Sequence, residues 1–135
     1  MTDRETLFTF RLKQAEETLA DARTMLAGGV STRSVVNRAY YVMFYSILAL
    51  FIAEKTDHKT SKHAGIISLF DRMIVHPGKL GREYSRMLHR LFDARQESDY
   101  KEFTQLSAED AADCVRVAEE FLMAVKGLIQ KGATE

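Results

Sequence analysis

From Ala39 to Ala53 the chain runs 15 residues without a charge, nearly all of them apolar. A run of that kind belongs either in a bilayer or in the middle of a protein core. A membrane span wants about 18 or more such residues, and Asn37 and Arg38 stand directly upstream. The run therefore reads as the central helix of a bundle, buried on most sides and surrounded by helices that are each apolar on one face.

The rest of the 135 residues supplies those partners. Breakers are few, so each is informative: Gly28-Gly29, the polar segment Lys55 to Thr60, the turn from His76-Pro77-Gly78 to Gly81, and a lapse of helical pattern around Ser98 to Ser107. Between them the apolar residues recur at three- and four-residue steps. Phe8, Leu12, Ala15, Leu19, Ala22 and Leu26 predict a helix over about 4–26, closed by Gly28 or Gly29. Ser31 or Thr32 can start the central helix, which runs to about Glu54. His63, Ile66, Ile67, Phe70 and Met73 share a face in a segment over 61–74. Tyr84, Leu88, Leu91 and Phe92 line a fourth helix from Arg82 to about Arg95. A fifth, about 107–131, opens on Ser107-x-x-Asp110, a capping-box pattern with Asp in place of Glu. No strand candidate, repeat or low-complexity tract stands out. The expectation is one all-α domain over 1–135 with a core of about 4–131, its helices mostly antiparallel because the connections are short.

Composition narrows function without naming it. Lys and Arg number 19 against 19 Asp and Glu, which argues against a general nucleic-acid coat but leaves room for a local basic cleft. Arg33 and Arg38 have no acid near them between Asp21 and Glu54, and Lys59 and Lys62 flank the start of the third helix. One cysteine forms no internal disulfide, and Cys114 falls on the apolar face of the last helix, where an inert core thiol is expected. The histidines show no metal-ligand spacing, and no phosphate-loop or dinucleotide motif occurs, so no metal and no cofactor are expected. The first residues contain no apolar signal core, which gives a cytoplasmic expectation.

Two constellations carry possible chemistry. Asn37, Tyr41 and Tyr45 are spaced by four in an otherwise apolar helix, with Arg38 adjacent. They are either core tyrosines with a polar tie between helices, or a cleft that stacks a base on tyrosine and pairs it with Asn37. The segment from Leu91 to Tyr100 places Arg95 at an expected helix exit, with Asp99 and Tyr100 following. Arg95 there either pairs with Asp99 or binds a phosphate with its planar donor fork. His63 stands on the apolar side of the third helix near Lys59 and Lys62.

These stretches resemble a known family. Ser34-Val-Val-Asn37-Arg38-Ala-Tyr40-Tyr41-Val-Met-Phe44 is similar to the SRAYYAMF helix of a prokaryotic HEPN-domain subfamily. Lys62-His63-Ala-Gly65-Ile-Ile-Ser68-Leu-Phe70 resembles its H-x-G stretch, and Gly81-Arg82 followed by Leu91 to Tyr100 resembles its L-x-x-x-R-x-x-x-D-Y stretch. The matches fall in order and span roughly Ala15 to Phe121. The resemblance implies an antiparallel four-helix bundle with an additional short helix, and a homodimer whose cleft gathers one site from each subunit. It implies nucleotide or RNA as ligand and a nucleotidyltransferase antitoxin as partner. Superfamily members include metal-independent ribonuclease toxins, in which an Arg is followed four to six residues later by a His. Here Arg95 matches the Arg, but Tyr100 stands where that His would be, and tyrosine is a poor base at neutral pH. Arg82 and His89, with six residues between them, satisfy the interval inside the fourth helix, a spacing expected about once by chance among 11 arginines and four histidines. The catalytic candidates are therefore Arg95, Tyr100 and, from the third helix, His63; the ligand-binding candidates are Asn37, Arg38, Tyr41 and Asp99. Three functions follow: a nucleotide- or RNA-binding module, a ribonuclease toxin with a rearranged site, and a scaffold for the nucleotidyltransferase, which in some relatives modifies a nearby Tyr.

Overall fold

The computed structural model describes residues 2–58, 62–100 and 106–134, with the side chains of 98–100 and 133–134 outside that description. It contains α1 (Asp3–Ala27), α2 (Thr32–Ala53), α3 (His63–Phe70), a π-helical turn (Asp71–Val75), α4 (Arg82–Tyr100) and α5 (Ala108–Thr134). There is no strand among the described residues.

Local chemistry sets the helix ends. Thr2 Oγ1 accepts the Glu5 N–H at 3.1 Å, and Ser31 Oγ accepts the Ser34 N–H at 3.3 Å. The capping box before α5 forms both of its reciprocal bonds: Asp110 N–H to Ser107 Oγ at 3.0 Å and Ser107 N–H to Asp110 Oδ2 at 3.1 Å. Gly28 closes α1, and Gly29 follows at φ 71°, a left-handed conformation that costs glycine little.

The uncharged run lies at the centre of the molecule. Val35, Ala39, Val42, Met43, Ile47, Ala49 and Leu50 of α2 are fully buried. They pack against Ala15 and Ala22 of α1, Leu88 and Leu91 of α4, and Ala111, Ala118, Phe121 and Val125 of α5. Thr32–Ala53 is long and apolar enough to cross a membrane by length and composition, yet 67% of its most apolar window is buried inside the bundle. The polar Ser46 is accommodated there because its hydroxyl donates to the Val42 carbonyl at 2.6 Å. Truncating a fully buried ring such as Phe51, Phe70 or Phe121 to alanine would remove about 3–5 kcal/mol of stability.

Ion pairs report the helix directions. Arg23 meets Glu119 and Glu16 meets Lys126, so α1 and α5 run antiparallel. Arg90 of α4 reaches Asp113 of α5, while Tyr84 touches Phe121, so that pair is antiparallel as well. The four long helices thus form the antiparallel bundle that the resemblance implies, with α3 as the additional short helix.

Two details differ from the sequence reading. The third segment is only eight residues of α-helix before it widens into the π turn. The wider turn buries Ile74 and leaves Met73 41% exposed, so Met73 does not continue the apolar face. The fourth helix does not stop near Arg95 but continues to Tyr100, which places Arg95 within the helix instead of at its exit.

Candidate functional site

Three elements converge beside the N-terminal half of α2. That helix offers Tyr40, Tyr41, Phe44 and Tyr45, with Tyr40 fully buried and Tyr41 and Tyr45 half-buried. Tyr41 and Tyr45, one turn apart, have ring centroids 5.6 Å from each other. The first residue of α3, His63, lays its ring on Phe44, with centroids 4.1 Å apart and planes at 23°. Its Nδ1 stands 3.0 Å from the Tyr40 hydroxyl, and Tyr41 meets it edge-on at 5.6 Å. From α4, Phe92 packs on Tyr40 at 5.8 Å. Arg95, one turn further on, holds its guanidinium carbon 5.3 Å from the ring centroids of both Tyr40 and Tyr41.

The sequence folds this way for simple reasons. Tyr40, Phe44 and Ile47 lie on the inward face of α2, so Tyr40 is carried into the core and its neighbour Tyr41 is turned towards the rim. The first turn of α3 buries Ile66 and Ile67, which pins His63 against the rings of α2. Leu88 and Leu91 anchor α4, and Arg95, four residues past Leu91, follows on the same side.

Burial dominates the electrostatics. It raises the Tyr40 pKa well above the usual tyrosine range, with Arg95 acting weakly in the opposite sense, so the phenol keeps its proton. Burial lowers the His63 pKa below its ordinary value, and the Arg95 charge lowers it further. At neutral pH the site is a fixed guanidinium beside a neutral imidazole, framed by five aromatic rings. Arg95 has the fork to engage a phosphate, the tyrosines offer ring faces, and the imidazole supplies a polar nitrogen between them.

Of the residues singled out in the sequence, the structure brings together Arg95, His63 and Tyr41. Asn37 is half-buried on α2, one turn before Tyr41. Arg38 is exposed, and none of the cluster's hydrogen bonds or ring contacts among the described residues involves it. Asp99 and Tyr100 lie in the last turn of α4, but their side chains are outside the described residues, as is Lys59. Tyr40 and Phe44 were missed as site residues. Their spacing of four matched any buried face, and only the position of His63 distinguishes them. His89 bonds Asp71 through Nε2 at 2.6 Å, tying α4 to the π turn and away from this cluster. Among the described residues no group of three or more His, Cys, Asp or Glu side chains stands close enough to hold a metal ion. A cavity of about 970 Å³ opens at the far end of the bundle between Arg4, Phe8, Ala53, Lys79 and Leu128; it shares none of the residues above.

The fold and the cluster define a class: an all-helical bundle that holds an arginine and a histidine from different helices against an aromatic strip. The HEPN domain family matches residues 8–128, and the chain belongs to that family. It is 35% identical to a UPF0332 protein of Thermotoga maritima over 130 residues, 96% of each chain. It is 30% identical over 117 residues to a Methanocaldococcus jannaschii protein named "Putative toxin", covering 87% of this chain and 84% of that one. An Archaeoglobus fulgidus UPF0332 protein is 31% identical over 121 residues, 90% of this chain and 94% of its own.

Proposed function

We propose that this chain is a HEPN module that binds RNA or a nucleotide, acts as a homodimer in the cytoplasm, and works with a nucleotidyltransferase partner in a toxin–antitoxin arrangement. The observation that carries the reading is Arg95, whose guanidinium lies across Tyr40 and Tyr41 at 5.3 Å beside the neutral His63. A phosphate on the guanidinium and a base against the half-buried Tyr41 and Tyr45 use both chemistries at once, with Asn37 one turn away on the same helix. The test is binding of short single-stranded RNA and of free nucleotides by fluorescence anisotropy. Arg95→Ala should weaken binding roughly 10- to 100-fold, the worth of a charge-assisted contact, while the helical signal is kept. No binding by the wild-type protein to any of them would overturn the reading.

A metal-independent endoribonuclease toxin is the second reading. It is favoured by a histidine from α3 that lies against the same two tyrosine rings as Arg95 within one subunit, and by relatives named as putative toxins. Arg95 would then stabilise the charged phosphorane while His63 moves protons. It predicts growth arrest on expression, relieved by Arg95→Ala; harmless expression of the wild-type chain would count against it.

A further inference from the structure

We infer that Tyr40 is a positioning residue: its buried hydroxyl donates to His63 Nδ1 and fixes the imidazole in the Nε2–H form, a neutral donor held beside Arg95 for an anionic oxygen of a bound nucleotide. The ligand half of this inference rests on the binding reading above; the tautomer half does not.

The argument starts from the Tyr40 hydroxyl. Tyr40 is fully buried, and among the described residues its hydroxyl bonds only His63 Nδ1, at 3.0 Å. A phenol in such surroundings keeps its proton, and that proton must point at an acceptor. If Nδ1 carried the imidazole proton and donated to the Tyr40 oxygen, the phenolic proton would have no acceptor among the described residues. With Tyr40 donating, both groups are satisfied and the imidazole proton moves to Nε2. Phe44 stacked at 4.1 Å fixes the plane of the ring, and Tyr41 at its edge limits its swing, so the bond sets the direction of Nε2 as well as its protonation. Nε2 makes no hydrogen bond among the described residues. The result is an N–H group from α3 and a guanidinium from α4 that border the same two tyrosine rings, a donor pair that suits a phosphate oxygen better than a cation.

This also separates the two functional readings. A general base needs a bare nitrogen facing the substrate. Tyr40 occupies the bare one, so His63 binds and does not abstract a proton.

The experiment is nitrogen NMR of uniformly labelled protein, in which protonated and bare imidazole nitrogens resonate far apart. Wild type should show Nε2 protonated and Nδ1 bare, and Tyr40→Phe, which keeps the ring, should show a mixture of tautomers. Wild type with Nδ1 protonated, or a Tyr40→Phe spectrum with the wild-type preference intact, would overturn the inference. The wild-type spectrum decides alone should the variant not fold. In parallel, a short mixed-sequence single-stranded RNA is titrated. Tyr40→Phe should bind about three- to tenfold more weakly, and His63→Gln, which retains a side-chain N–H, should bind better than His63→Ala. Equal affinities for the glutamine and alanine variants would remove the donor role. Absence of wild-type binding both to this RNA and to free nucleotides would sink the binding reading and the ligand half, while the tautomer measurement still judges Tyr40.

Discussion

Burial, and then the Arg95 charge, hold the His63 imidazole neutral below its ordinary pKa of 6.5. That has a thermodynamic sign. In the window just below 6.5 the unfolded chain binds the proton and the folded chain does not, so stability rises with pH there. The contribution of His63 is fully present above 6.5 and is lost as pH falls through the lowered value. Thermal melts from roughly pH 7 to pH 5 should therefore fall more steeply for wild type than for His63→Gln. Parallel curves would mean that His63 titrates as a free group. At this scale much was legible in the sequence: Arg95, His63 and Tyr41 were all recognisable from motif context. Their meeting was not, because His63 and Arg95 sit on different helices and nothing in one-dimensional spacing says that α3 opens against Phe44. The burial of Tyr40 was equally hidden, since adjacent tyrosines on a helix point to different sides and the pattern does not say which side is inside.

Elements were legible where their ends carry specific chemistry. Ser107 and Asp110 marked the start of α5, and the reciprocal bonds at 3.0 and 3.1 Å are the ones that pattern predicts. The Ser107 bonds are also what lower the Asp110 pKa. Ser107→Ala should destabilise the protein by about 0.5–2 kcal/mol in urea unfolding at neutral pH, with an unchanged slope. A loss near zero would mean that tertiary contacts alone fix this helix end. The π turn over Asp71–Val75 had no such mark. One extra residue in a helical turn leaves composition untouched and changes only which of Met73 and Ile74 faces inward. The C-terminal extent of α4 had no such mark either. Ser98 and Asp99 are weak helix formers, but a helix anchored by Leu88 and Leu91 extends past them to Tyr100.

At the scale of the whole molecule, the balance of 19 basic and 19 acidic residues sets the salt dependence that the proposed RNA binding would show. With no bulk positive field, capture under that proposal would fall to the few cations near the Tyr40–Tyr41 cluster. If Arg95 is the main phosphate contact, the logarithm of affinity should fall with the logarithm of salt with a slope of only about −1. A slope several times steeper would bring the exposed Arg33, Arg38 and Lys62 into the interface. The bundle itself was the most legible level, because 15 uncharged residues in α2 demand neighbours all round and four other segments with an apolar face were available. That arrangement has a consequence for the chain as it is being made. Helix α1 can pair with α2 as soon as both exist, but the face of α2 that includes Ala39, Met43 and Leu50 belongs to a core completed by Phe121 and Val125 of α5, the last helix in chain order. Throughout the synthesis of α3 and α4, a nascent chain carries an open, uncharged surface that any other hydrophobic segment can occupy. The centre of the finished molecule is thus, for that interval, its stickiest exterior.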